Sequence, residues 1–360
     1  MKVIGLYLPQ YHRIRENDKW WGDGYTEWVA VKKAKPLFKN HYQPRIPLNN
    51  NYYDLVKDGI ETWKWQAELI NKYNIYGLCI YHYWFNGKLL LEKPMEILLA
   101  NKNINIRYSI CWANEPWSRT WEAKPKESLI EQNYGGMQDI ENHFNYLLPF
   151  FLDSRYIKIN NKPLVHLYRS SNITYLTEMM EIWNKMAIDN GFEGIYWISA
   201  ITSENNDNRK NLFDHYYYFE PGYTLKYDFG LYNRTEYLLK VLFRRFRNMI
   251  YSNGIEKFVN INKLWKRIEE RDSDDMISPG TLTGWDNTPR KKENGTVFYG
   301  DEKNFEKHIR TIFDKYGDDE FLYVNAWNEW SEGAYLEPDE RNKFYFLECI
   351  LKASKNKAEK

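Results

Sequence analysis

Eight short apolar runs rich in β-branched and aromatic residues, most of them separated by helical periodicity, limit the folds open to this chain more than any other feature. The runs cover residues 3–8, 77–83, 107–112, 164–168, 195–200, 215–219, 278–285 and 321–327. Helical patterns cover 60–73, 94–102, 137–152, 175–190, 235–251, 302–316 and 339–352, with Pro94 suited to a first turn and Asn190-Gly191 to a helix end. This repetition predicts an α/β fold, a (β/α)8 TIM-type barrel built as one domain over residues 1–360. A doubly wound sheet is the main alternative, but no glycine-rich phosphate loop follows the first run, where that fold usually places one. Two departures from a minimal barrel are expected. One is a long first βα loop, 13–51, whose length points to function and whose tryptophans argue against disorder. The other is a helical insertion at about 223–275, before the seventh strand.

In such barrels the chemistry sits where strands end and βα loops begin. The first run leads into Tyr11 and His12, and the second into His82, Tyr83 and Trp84. The third leads into Trp112, Asn114 and Glu115, the seventh into Trp285 and Asp286, and the eighth into Trp327 and Asn328. Joined by Trp28 of the long loop and by Trp330, these form the candidate substrate-binding set. A lone His or Asn at such a place is more often a satisfied structural group. Polar and aromatic residues at nearly every strand end are harder to ascribe to packing. Asp286 has two readings, as a holder of a sugar hydroxyl or as a partner of Arg290 within its own loop.

The carboxylates to weigh are Glu27, Glu115, Glu220, Asp286, Glu329 and Glu332. The last two stand three apart in Asn328-Glu329-Trp330-Ser331-Glu332-Gly333. If the chain turns helically there, they share one side of the turn. A separation of about 5 Å favours participation at the sugar over an inverting attack by water. Mutual repulsion raises the pKa of at least one, which fits it to act as an acid. An isolated E-x-x-E is more often a capping and a salt-bridged residue. Its place at a final strand end, among Trp327 and Trp330, makes Glu329 and Glu332 the catalytic candidates. No His/Glu cluster has zinc spacing and no serine sits in a G-x-S-x-G elbow, so no metal and no cofactor are expected. Asp272-Ser273-Asp274 has the D-x-D form of many nucleotide-sugar transferases, but in a charged run it reads as a solvated turn.

A net charge of +1 gives no bulk case for nucleic acid as a partner. Aromatic residues make up 18% of the chain, including 30 Tyr and 15 Trp, enough to fill a large core and also to stack on sugar rings. Cys79, Cys111 and Cys349 lack metal spacing, and the first two lie in apolar runs as core thiols, which fits a reducing compartment. With no signal-peptide pattern and no long apolar span, a cytoplasmic location is expected. Leu238, Leu239, Leu242, Phe246, Met249 and Ile250 share a helical face within 235–251, beside Lys240, Arg244, Arg245 and Arg247. Such a helix either caps the barrel with solvated arginines or makes peripheral contact with an anionic membrane.

Tyr7-Leu8-Pro9-Gln10-Tyr11-His12, Trp20-Trp21-Gly22, Tyr25-Thr26-Glu27-Trp28, Tyr83-Trp84-Phe85-Asn86-Gly87, Cys111-Trp112-Ala113-Asn114-Glu115, Gly284-Trp285-Asp286-Asn287-Thr288-Pro289-Arg290 and the 325–333 segment together resemble the WbsX-type family. That family belongs to bacterial O-antigen and capsule gene clusters and is often labelled a glycosyltransferase. The C-terminal motif is also similar to that of glycoside hydrolase family 99, the endo-α-1,2-mannosidases and mannanases, with Ser331 standing where that family has histidine. The resemblance implies that Glu329 removes the proton of a sugar 2-hydroxyl and that Glu332 is the acid/base. The expected function is retaining hydrolysis of a bacterial surface polysaccharide or its precursor, with an oligosaccharide or lipid-linked glycan as partner. A glycosyltransferase and a non-catalytic carbohydrate-binding barrel are the alternatives.

Overall fold

The structure, a computed structural model, describes residues 1–118, 128–205, 209, 212–251, 254–255 and 257–358. Its centre is a parallel sheet of the strands Lys2–Tyr7, Gly77–Phe85, Tyr108–Trp112, Lys162–Leu167, Tyr196–Ile201, His215–Tyr218 and Phe321–Asn325, here numbered first to sixth and eighth. The seventh comes in two pieces, Ile277–Ser278 and Gly280–Leu282, on either side of Pro279. Its first piece pairs with the sixth strand (Tyr217 opposite Ser278) and its second with the eighth (Gly280 opposite Tyr323). The first strand pairs with both the second and the eighth. The sheet therefore comes round on itself as a nearly closed parallel barrel, in keeping with the expected α/β fold.

Proline has no N–H to give to a ladder, which explains the split. The Pro279 carbonyl still accepts from the Tyr323 amide at 3.0 Å. Gly280 makes the seam possible, because a Cβ there would stand 1.9 Å from the Tyr218 carbonyl oxygen. The seventh run, expected at 278–285, accordingly stops as a strand at Leu282.

Helices Gly59–Lys72, Met137–Leu152, Leu176–Asp189, Ile261–Glu270, Asn304–Lys315 and Tyr345–Ala358 cover the barrel with their apolar faces. Trp63, Trp183 and Trp265 are fully buried, and their indole N–H groups donate to the carbonyls of Pro94, Ile140 and Leu282 at 2.9–3.0 Å. Each such side chain contributes roughly 2–3 kcal/mol through burial. Inside the barrel Tyr217 stacks on Tyr323 at 4.2 Å, and His166 meets the Tyr323 hydroxyl at 2.8 Å. Cys79, Cys111 and Cys349 are buried free thiols. The last helix starts later than the expected residue 339, because Asp339 accepts from the Tyr335 hydroxyl at 2.6 Å and bridges to Pro47.

The long first loop carries two short helices, Arg15–Trp21 and Glu27–Lys33. Trp28 pins the second one down, donating to the Tyr53 carbonyl at 2.8 Å and packing on Trp330. Residues 223–275, apart from 252, 253 and 256 outside the described residues, hold helix Leu231–Tyr251, strand Lys257–Asn260 and helix Ile261–Glu270. That strand pairs in parallel with Thr296–Tyr299. Among the described residues, no helix is long and apolar enough to cross a membrane.

Candidate active site

The eighth strand does not simply stop at Asn325. Two residues later the Trp327 amide donates to the Leu6 carbonyl at 2.7 Å. The Asn328 side chain accepts from the Leu8 amide at 2.8 Å and donates to the Leu8 carbonyl at 3.0 Å. This amide copies the hydrogen bonds of a backbone neighbour and ties the ends of the first and eighth strands together. Trp330–Glu332 then form a single 3-10 turn entered from Glu329, and the Glu329 and Glu332 side chains converge on Arg290. The turn ends at Gly333, whose φ of +62° is left-handed, and a Cβ there would press within 3.0 Å of Arg45 and Asp286.

One guanidinium serves three carboxylates. Arg290, from the short helix Thr288–Lys291, lies 2.8 Å from Glu27, 3.1 Å from Glu332 and 3.5 Å from Glu329. Glu27 comes from the first turn of its short helix, so the first, seventh and eighth βα loops all supply charge here. A single cation cannot neutralise three buried anions. Burial pushes the Glu329 carboxyl well above the usual range, Glu332 adds to the rise, and Arg290 opposes it. Glu332 is also raised, by burial first, with Arg290 again opposing. The pair therefore retains a proton at pH values where ordinary carboxylates have lost theirs. Glu332 keeps 23% of its side chain open against 11% for Glu329, so Glu332 faces the opening and Glu329 lies deeper.

Both glutamates line a cleft of about 370 Å³. Tyr81, Tyr83, Tyr168, Phe219 and Trp285 supply aromatic walls, and Glu115 and Arg290 further charge. Glu115 is ion-paired to Arg169, and burial raises its pKa against that cation. Behind the cleft, Glu337 accepts from Trp327, Trp330, Gln66 and Tyr53 at 2.7–3.1 Å. Burial pushes it up to about 7 in spite of those donors.

Residues 3–350 match the model of a family described as Glycosyltransferase WbsX. The chain belongs to the WbsX family. Its relatives include the uncharacterized protein WxcX of Xanthomonas campestris pv. campestris, in strains ATCC 33913 and B100. Each is 30% identical over 358 residues, which are 98% of this chain and 49% of the relative. The chain thus spans about half the length of the curated relatives it matches. Among solved structures, a glycoside hydrolase-like protein has a TM-score of 0.60 at 11% identity, over 98% of this chain and 93% of its own. The GH99 endo-alpha-mannosidase from Bacteroides thetaiotaomicron has a TM-score of 0.55 at 12% identity, over 99% of this chain and 97% of its own. These likenesses are of fold.

Of the WbsX-type motif residues expected in the site, the structure brings Tyr83, Glu115, Trp285, Glu329 and Glu332 to the cleft. Strand parity turns others outward. His82 and Trp84 alternate with Tyr81 and Tyr83 and pack against His143 of helix Met137–Leu152, His82 through a 2.8 Å contact between ring nitrogens and Trp84 by stacking. Trp112 meets the same His143 ring edge to face. Asn114 links the third and fourth loops, accepting from the Arg169 amide and donating to its carbonyl, each at 2.8 Å. Tyr11, Trp28, Trp327, Asn328 and Trp330 are buried beneath the carboxylates, with the Tyr11 hydroxyl bonded to the Asn328 carbonyl. His12 is buried as well and is not part of the cleft lining.

Neither reading of Asp286 describes its place. It binds His41 at 2.8 Å, Gln43 at 2.7 Å and the Thr288 hydroxyl at 2.6 Å, while Arg290 turns to the glutamates. Burial works to raise its pKa, but these donors and Arg45 hold it below the usual range. Arg290 as hub, and Tyr81, Tyr168 and Phe219 as walls, were not in the expected set. Alternation along the second strand was the available signal for Tyr81.

Proposed function

We propose that this chain cleaves glycosidic bonds with retention, using Glu332 as acid/base and Glu329 as base for a neighbouring hydroxyl. The observation that carries the reading is the surplus of buried carboxylate around Arg290 at the mouth of a barrel, opposite aromatic walls suited to sugar faces. In the first step Glu332 gives its proton to the leaving glycosidic oxygen. Glu329 takes the proton of the sugar 2-hydroxyl, and that oxygen displaces the leaving group at C1 to close a 1,2-anhydro ring. In the second, Glu332 takes a proton from water, which opens the ring at C1, while Glu329 returns its proton to O2. Two inversions give net retention. One proton held between two raised carboxyls suits this exchange, since acid and base are needed together.

The proposed substrate is a bacterial surface polysaccharide or its lipid-linked precursor, met in the cytoplasm. Glycosidase action is supported by the fold shared with an endo-alpha-mannosidase and by the Asn-Glu-Trp-x-Glu-Gly motif. Glu329→Gln and Glu332→Gln, assayed on a panel of defined oligosaccharides, test it. Each substitution is expected to lower turnover by about 10²-fold or more, and undiminished turnover in both ends the assignment. The family's description favours a second reading, a glycosyltransferase. Binding of labelled nucleotide sugars, measured with and without Mn²⁺, separates the two. Glycan binding that yields no product from the intact chain identifies a binding barrel instead.

A further inference from the structure

Helix Leu231–Tyr251 has a surface that the described residues leave bare. Its inner side, including Tyr237, Val241, Arg244 and Asn248, is half-buried, and Arg244 stacks on Phe258 at 4.4 Å. The opposite side carries Leu238, Leu239, Leu242, Phe243, Phe246, Met249 and Ile250, all exposed. Leu239 is 66% exposed, Phe243 69%, Phe246 64% and Met249 78%. Isolated exposed apolar residues are ordinary, but a contiguous row this long is not.

The charges on the same helix identify what covers it. At 3.6 residues per turn, Arg234 and Arg245 flank the apolar row on one side and Lys240 and Arg247 on the other. Glu236 is the helix's one acid and is already paired with Lys240 and Lys263. The geometry points to an anionic lipid surface as the partner of this face, with the apolar row sunk at the headgroup boundary and the flanking cations on lipid phosphates. A second copy of the chain is disfavoured, because pairing two such faces brings their cationic flanks together. The helix lies on the bilayer and does not cross it. The inference stands whether or not the cleft cleaves sugars.

Co-sedimentation of the full chain with phosphatidylcholine vesicles, with and without phosphatidylglycerol, tests it. The wild-type chain is expected to pellet with the anionic vesicles at low salt and to leave them as salt rises. Arg245→Gln with Arg247→Gln is expected to weaken partitioning about twenty-five-fold, at about fivefold per cation. Phe243→Ser with Phe246→Ser is expected to remove binding while far-UV circular dichroism is unchanged, since both rings project into solvent. The proposal is overturned if the wild-type chain stays in the supernatant with anionic vesicles at low salt. It is equally overturned if the phenylalanine variant pellets like wild type. A dimer in sedimentation velocity that this variant dissolves, without vesicle binding, assigns the face to a second copy and also overturns it.

Discussion

Glu337 and the Glu329/Glu332 pair lie within one short stretch of chain, yet their burial is resolved in opposite ways. Glu337 has no cation beside it among the described residues, and its oxygens are filled by Trp327, Trp330, Gln66 and Tyr53. The pair shares Arg290 with Glu27, and one Glu329 oxygen accepts no hydrogen bond among the described residues. A carboxylate surrounded by donors is a tie between elements, holding the indoles on either side of the motif. A carboxylate that lines the cleft with an oxygen no donor fills is placed to exchange its proton with a ligand. Burial alone does not distinguish the two, and the count of donors and cations does.

The sharpest way to break this contrast is Glu329→Gln or Glu332→Gln. Each should lower kcat/KM on a cleaved glycan by about 10²–10⁴-fold, the usual worth of a general acid or base. Thermal melting should hold or rise, since a surplus negative charge is gone. A collapse in Tm would make the pair as structural as Glu337. Next in size is Arg290→Met, which leaves three buried carboxylates without their cation and should cost about 3–5 kcal/mol in urea unfolding.

Glu337→Gln probes the other side of the comparison through pH. The folded pKa of about 7 lies above the ordinary 4.5, so the native state binds the proton more tightly than the unfolded one. The associated stability is full below pH 4.5 and is lost as pH rises through about 7, by about 3 kcal/mol in all. Tm measured across that window should fall in the wild-type chain and stay flatter in the variant. The smallest expected effect is that of Glu27→Gln. Its charge helps to raise both Glu329 and Glu332, so its removal should shift the pH–rate profile toward acid, with less than about a tenfold change at fixed pH.

The barrel was largely legible because period and length are local signals. Every expected run overlaps an observed strand, and the seventh differs in two ways, being interrupted at Pro279 and ending at Leu282 instead of residue 285. The glutamate pair was legible from its spacing and its tryptophans. The rest of the site was less so, because a strand end advertises residues on both of its faces. His82 and Trp84 looked as suitable as Tyr83, and parity sends them to the helix layer. Asn328 and Trp330 looked like ligands for sugar and are supports instead. Arg290 carries no local sign that it gathers Glu27 from hundreds of residues away; only the closed barrel makes them neighbours.

The pairing of the first strand with the eighth also bears on how such a chain is made. Lys2 to Gly5 lie opposite Phe321 to Val324, and Leu8 waits for Asn328. During synthesis the first strand therefore emerges with one edge unclaimed and keeps it bare until the eighth strand has left the ribosome. The same delay governs the charged centre, since the cluster of Glu27, Arg290 and Glu332 is incomplete until the loop after the eighth strand is out. A nascent chain has a sticky edge to protect and no chemistry to perform, and one late closure ends both conditions.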